Sequence, residues 1–254
     1  MFANVWYRHI SGFKKPQNKT IIFITIIFDR FTSTYAALKK LFMKKNFFIA
    51  LEGIDGSGKS TQIKPLAEKL IEGNFPVYTT AEPTSSRIGL MIKDIFKHKM
   101  EADHRTIAAL YAADRLEHVL NKTDGILKKL IEGYIVISDR YYFSSYAYHG
   151  THMSMDWVIQ ANSLCADILR PDLNIFIDVP PEVCMERLSK NRDTIELYES
   201  LDNLKRVREK YLEAFDKLRS EENIFIVNGD RPSEAIFSDI WSKIESIPTY
   251  SSHS

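Results

Sequence analysis

Gly53-Ile54-Asp55-Gly56-Ser57-Gly58-Lys59-Ser60 is the stretch that decides the fold. It has the spacing G-x-x-x-x-G-K-[ST], follows the apolar run Phe47–Glu52 and opens the amphipathic run Lys59–Glu72. A strand, then a glycine-rich loop, then a helix is the setting a phosphate cradle requires, and it argues against a chance glycine-rich turn. Glycines let backbone N–H groups turn inward and approach phosphate oxygens. The helix that follows adds the positive end of its dipole. In this setting Gly53 to Thr61 contact a nucleoside triphosphate, the Lys59 ammonium reaches the terminal phosphates, and the Ser60 hydroxyl ligates Mg²⁺. The loop does not say which group would receive a phosphate.

Outward from it, short apolar runs alternate with amphipathic stretches, the pattern of βαβ units and a parallel sheet. Strands are expected at Phe47–Glu52, Pro76–Thr80, Tyr134–Ser138, Leu173–Val179 and Ile224–Asn228. All are short and mostly apolar, as strands covered on both faces are. Helices are expected at Lys59–Glu72, Ile88–Lys97, Arg105–Asn121, Gly125–Glu132, Met155–Ala166, Pro181–Ser189, Leu197–Leu218 and Pro232–Glu245. Pro181 and Pro232 suit a helix's first turn, where a missing N–H costs nothing. Pro65 lies deeper in its helix and can bend it. The fold class is α/β: the three-layer P-loop NTPase fold, with a five-stranded parallel sheet flanked by helices and a short lid.

The 254 residues suffice for one such domain with a substantial core, or at most two small ones. A net charge of +1 argues against a protein whose task is to hold a nucleic-acid backbone. The two cysteines, Cys165 and Cys184, are too few to staple the domain and have no metal-ligand neighbours, so a reduced, cytoplasmic setting is expected. Residues 1–43 differ from the rest, with seven Lys/Arg, one acid (Asp29) and one long apolar run, Ile21–Phe28. That run falls far short of the roughly 20 residues that span a bilayer, and no membrane partner is expected. A basic start before an apolar run can mimic a targeting segment, but no Ala-x-Ala site follows and Asp29-Arg30 ends the run. The reading adopted is a start at Met43, with residues 1–43 an extension outside the folded domain, 44–245 the domain and 246–254 a tail.

Asp139-Arg140-Tyr141 follows the run Tyr134–Ser138, so its side chains emerge at a strand's carboxyl end, where open parallel sheets bind ligands. An acid there can hold or orient Mg²⁺ and its water, and the arginine can neutralise a second phosphate. Alone, the pair would read as a surface ion pair; its place after a buried strand reverses that preference. Phe48–Thr61, Glu82-Pro83-Thr84, Tyr111-Ala112-Ala113-Asp114-Arg115, Asp139-Arg140-Tyr141, Ser144-Ser145-Tyr146-Ala147-Tyr148 and Arg170-Pro171-Asp172-Leu173 together resemble the thymidylate kinases. The resemblance runs from Phe47 to the end of the chain, in the family's order. Glu-Pro-Thr, and a glycine rather than an arginine inside the phosphate loop, resemble archaeal and bacterial members most.

The resemblance implies transfer of the γ-phosphoryl group of ATP, with Mg²⁺, to the 5′-phosphate of thymidine monophosphate, by a homodimer. By position it implies that Asp55 lies near the acceptor's 3′-hydroxyl and 5′-phosphate. It implies too that Tyr111 stacks on thymine, that Arg115 hydrogen-bonds the base's O4 and that Ser144 helps bind the base. Tyr148 would pack on C2′ and disfavour a ribose. Glu82, Pro83, Arg87 and Arg140 complete the acceptor site, with Glu199 near its metal or sugar. Arg187-Leu188-Ser189-Lys190-Asn191-Arg192 stands where nucleotide kinases carry a cationic lid. There Arg187 packs on adenine and Arg192, assisted by Lys190, supplies charge; Arg231 lies in the loop bordering adenine. The catalytic set is Lys59, Asp55, Asp139, Arg140 and Arg192.

Core packing is the alternative for Tyr111 and Tyr148, and solvated surface for the basic run. Two departures stand out. Ala81 occupies a position where many relatives have an arginine gripping the acceptor phosphate, a task left to Arg87 or Arg140, and His149 stands where glutamine is frequent. The competing functions are a kinase for another nucleoside monophosphate or nucleoside and a regulatory P-loop ATPase with no acceptor. Tyr111, Arg115 and Tyr148 together favour a deoxypyrimidine. The apolar faces of Arg105–Asn121 and Met155–Ala166 are candidates for helix pairing between subunits.

Overall fold

The computed structural model describes residues 46–191 and 200–247. Phe48–Glu52 (β1) is buried at every position, so both of its faces are covered and unbroken apolar sequence is what its place demands. It is the middle strand of a five-stranded parallel sheet ordered β2-β3-β1-β4-β5, with Val77–Ala81 (β2), Ile135–Asp139 (β3), Leu173–Asp178 (β4) and Ile224–Asn228 (β5). β3 and β4 are buried almost throughout, whereas the outer β2 and β5 are partly exposed. Every expected strand forms, each end within one residue of its expected position.

The register sets the site. Leu51 of β1 pairs opposite Asp139 of β3, and Ala81 of β2 pairs with the same Asp139. Three strands therefore end level, and the phosphate loop, Arg140 and Glu82 leave the sheet side by side. Backbone bonds continue past the strand ends, from Arg140 N–H to Leu51 O at 2.9 Å and from Glu82 N–H to Asp139 O at 3.0 Å.

The helices among the described residues are Lys59–Glu72 (α1), Arg87–Phe96 (α2), His104–Leu120 (α3), Ile126–Ile131 (α4), Tyr142–His149 (α5), Met155–Ile168 (α6), Pro181–Asn191 (α7), Leu201–Leu218 (α8) and Ser233–Ser246 (α9). Pro181 opens α7 as expected, while Pro232 sits one step earlier, as the N-cap of α9. The expected start at Leu197 falls outside the described residues; α8 begins after the Ser200 cap, whose hydroxyl accepts the Asn203 N–H. The sequence reading missed α5. All of its residues are buried, enclosed by α3, α6 and α8, so it lacks the polar face that gives a helix its periodic signal. Among the described residues no helix is long and apolar enough to cross a membrane.

Candidate active site

The phosphate loop rests on α7 through glycine. Gly56 has φ 80°, and a Cβ there would lie 2.6 Å from the Cys184 carbonyl oxygen, so a side chain is excluded twice over. Lys59 is 7% exposed, and its Nζ donates to Gly53 O at 2.9 Å and Ile54 O at 3.1 Å. Burial, with the Arg140 charge, lowers the pKa of this ammonium to about 8, against the pull of Asp139 and Asp55. Ser60 Oγ donates to Asp139 Oδ2 at 2.9 Å and so joins the loop to the end of β3. Asp139 Oδ1 is buried with no hydrogen-bond partner among the described residues.

Arg140 adopts φ 71°, a left-handed conformation unusual for a residue with a Cβ and often found where a site over-determines the backbone. Its Nη2 meets Asp55 Oδ1 at 2.5 Å and Tyr148 Oη at 3.3 Å, and its Nη1 meets Ser144 Oγ at 3.1 Å and Gly53 O at 3.3 Å. The guanidinium also lies over the Tyr148 ring, 4.9 Å from its centroid. Tyr148 Oη donates to Asp55 Oδ2 at 2.7 Å. Lys59, from the phosphate loop, and Arg140, from the end of β3, thus share one acceptor, the Gly53 carbonyl.

Beside this cluster lies a cavity of about 230 Å³ whose walls include Asp55, Arg140, Pro83, Phe96, Tyr111 and Tyr148. Tyr111 packs edge-on to Phe96 at 6.3 Å and lies 5.1 Å from the His149 ring. His149 also lines the cavity and is 1% exposed, and neither ring nitrogen has a hydrogen-bond partner among the described residues. Burial, reinforced by the nearby Arg115 charge, lowers its pKa to about 3, so the ring is neutral at ordinary pH.

Several expected site residues are placed elsewhere. Arg115 is 0% exposed and does not line the cavity. Its Nε donates to Glu82 Oε2 at 2.8 Å, its Nη1 to Ser145 Oγ at 2.9 Å and to Asn162, and its Nη2 to Tyr141 O at 3.1 Å, with Nη2 also 2.6 Å from Glu82 Oε2 as an ion pair. The expected bond to a base oxygen would have to come from a guanidinium that is fully buried and lies off the cavity wall. Glu82 likewise faces inward, held by Arg115 and by His118 Nδ1 at 3.1 Å, and leaves Pro83 at the cavity wall. Asp114 ties down the same turn by accepting from Thr84 N–H at 2.8 Å and Ser86 Oγ at 2.8 Å. Ser144 does line the cavity, but its hydroxyl serves Glu52, Tyr211 and Arg140 and is not presented to a base. Arg87 is exposed at the start of α2 and is not a wall residue.

Arg187 Nη2 reaches Gly229 O at 3.2 Å, which brings α7 to the loop after β5. Arg231 is tied to Asn228 O at 3.1 Å and Asp239 at 2.5 Å, and Lys190 to Glu186 at 2.6 Å on the exposed face of α7. Arg192 and Glu199 lie outside the described residues. The sequence reading overlooked Lys93, Phe96 and Lys97, which line the cavity from α2 and its C-cap. Their spacing, three and four residues along one helix face, was the available signal. It also overlooked Glu52 and Tyr211, whose burial nothing in the local pattern announces.

The model of the thymidylate kinase family matches residues 51–240. A probable thymidylate kinase of Caldivirga maquilingensis is 39% identical over 201 residues, covering 78% of this chain and 93% of that protein. One of Pyrococcus horikoshii is 41% identical over 206 residues, covering 77% and 94%, and a thymidylate kinase of Clostridium novyi is 35% identical over 206 residues, covering 78% and 98%. A level row of strand ends bearing a phosphate loop, an Asp-Arg pair and an aromatic cavity, together with these matches, identifies the chain as a member of the thymidylate kinase family.

Proposed function

We propose that this protein transfers the γ-phosphoryl group of ATP directly to the 5′-phosphate of thymidine monophosphate, giving the diphosphate. The observation that carries this reading is the shared Gly53 carbonyl: Lys59 Nζ lies 2.9 Å from it and Arg140 Nη1 3.3 Å. Two cations, one from the head of α1 behind the phosphate loop and one from the end of β3, meet at one atom, so a phosphate held by one adjoins a phosphate held by the other. Phosphoryl transfer needs little more from a protein than such positioning and charge stabilisation.

Lys59 and the loop amides bind the donor's phosphates, and Arg140 grips the acceptor's. Asp55, beside Arg140 and Tyr148, orients the acceptor's sugar end. Tyr111 stacks on the base, a contact worth about 1–3 kcal/mol. Phe96, Pro83 and His149 complete the base's surroundings, and the Tyr148 ring excludes a 2′-hydroxyl. Arg187 and the loop around Arg231 border adenine, with Lys190 and Arg192 as the cations of the lid and Glu199 near the acceptor.

Ser60 and Asp139 suit Mg²⁺, because a hydroxyl and a carboxylate with one unpartnered oxygen are the hard ligands that ion takes. Bound there, Mg²⁺ neutralises charge on the donor's phosphate oxygens.

A panel of nucleoside monophosphates assayed with ATP for ADP release tests the reading. Thymidine monophosphate should be turned over fastest; equal turnover of AMP or GMP overturns it. Substantial ATP hydrolysis with no acceptor present would favour the regulatory ATPase instead.

The protein is further read as a cytoplasmic homodimer with residues 44–245 as its folded domain. Both cysteines are buried and unpaired, as in a reducing compartment. Trp157, Leu164 and Ile168 of α6 are 45%, 57% and 36% exposed along one face, beside α3 with its exposed Leu120. An apolar stripe of this kind suits a second copy of the same surface.

A further inference from the structure

Glu52 ends β1, and its side chain is 0% exposed. A carboxylate taken out of water is tolerated only where donors and a counter-charge replace the solvent. Oε1 accepts the Tyr141 N–H at 2.8 Å, and Oε2 accepts Ser144 Oγ at 2.5 Å and Tyr211 Oη at 2.9 Å. Burial raises its pKa, while the Ser144 hydroxyl and the Arg140 charge pull it back.

These bonds enclose Arg140 on both sides. The Arg140 N–H ends on Leu51 O at 2.9 Å and the next N–H, that of Tyr141, ends on Glu52 Oε1. Both amides flanking the left-handed Arg140 backbone are therefore fastened to the last two residues of β1. A side-chain-bearing residue stays in that conformation only where its surroundings over-determine it. The second hold acts on the side chain: Ser144 Oγ, which donates to Glu52, also meets Arg140 Nη1 at 3.1 Å.

We propose that Glu52 is a positioning residue for the acceptor-phosphate site, fixing Arg140 through the Tyr141 amide and through the Ser144 hydroxyl. The proposal rests on the reading of Arg140 as the grip on the acceptor's 5′-phosphate. Glutamine has the same shape but no charge, and its NH₂ must either oppose the Tyr141 N–H or force the Ser144 and Tyr211 hydroxyls to turn into acceptors, so the hold through Tyr141 or through Ser144 is weakened.

The test is calorimetric binding of thymidine monophosphate, thymidine and ATP to the wild type and to Glu52→Gln, with Tm measured alongside. The affinity ratio of thymidine monophosphate to thymidine isolates what the 5′-phosphate contributes. In Glu52→Gln that ratio should fall about tenfold or more, the scale of one charge-assisted hydrogen bond, with thymidine and ATP within about twofold of wild type. An unchanged ratio overturns the proposal, and so does equal weakening of all three ligands with a lowered Tm, the mark of damaged packing alone. Should Glu52→Gln not fold, Ser144→Ala decides instead, a lower ratio supporting the proposal and an unchanged one overturning it. A wild type that binds the monophosphate no better than thymidine removes Arg140's assigned role, a failure visible without any variant.

Discussion

Arg140 combines a strained backbone, an aromatic platform and four polar contacts in one residue, so its removal should be felt in one place. Arg140→Ala is expected to lower kcat/KM for thymidine monophosphate by about a hundredfold or more, the scale for losing a charged grip on a phosphate, with ATP affinity little changed. Steady-state kinetics with each substrate varied in turn check this. His149 gives a pH signature with a definite sign. Its pKa falls from 6.5 to about 3 on folding, so between those values the unfolded chain holds the extra proton. Stability is then lost as pH drops from 6.5 towards 3, at up to about 1.4 kcal/mol per pH unit. Denaturant unfolding of His149→Gln from pH 4 to 7 should show a shallower acid limb than wild type. At this scale the sequence was readable in placement where a motif fixes both neighbours, for Lys59 and Ser60 do open the helix behind the loop and Asp139 and Arg140 do stand at a strand's carboxyl end. It was misleading where a partner came from afar. Arg115 follows Tyr111 by one helical turn, yet its direction is set by the Glu82 carboxylate, 33 residues away and buried at its side.

The strands and the phosphate loop could be located from apolar runs and glycine spacing because both are consequences of local geometry. Helix α5 could not, because enclosure on every side removes the alternation that betrays a helix. The seat of the loop on α7 was equally hidden, since it depends on a backbone carbonyl 128 positions later. That contact separates two glycines which look alike in sequence. At Gly58, with φ 92°, a Cβ would meet nothing within 4 Å, so Gly58→Ala should cost about 1 kcal/mol, from backbone conformation alone. Gly56→Ala adds the collision with the Cys184 carbonyl and should cost about 2–4 kcal/mol. Chemical denaturation of the two variants side by side measures the difference.

For the molecule as a whole, the stripe on α6 is the surface through which the proposed homodimer is expected to form. Trp157→Glu should convert a dimer into monomers in sedimentation velocity experiments, because a charge set in an apolar seam cannot be matched by its own symmetry mate. Removal of residues 1–42 is expected to leave Tm and turnover unchanged, measured by thermal unfolding and by ADP release. Fold class and family were both legible at this scale, for the spacing of a few motifs restricts the architecture more tightly than it restricts any one side chain.

Helix α5 carries Ser144, Ser145, Tyr148 and His149 to the cavity beside Arg140 while every one of its residues is walled in by neighbours. Under the proposed function, the element closest to the nucleobase is consequently the one least able to drift during evolution, since any exchange on it disturbs three adjoining helices at once. Lineages that change substrate preference should therefore carry their differences in the surrounding frame, above all on the half-exposed face of α2, and leave the central pillar nearly unaltered.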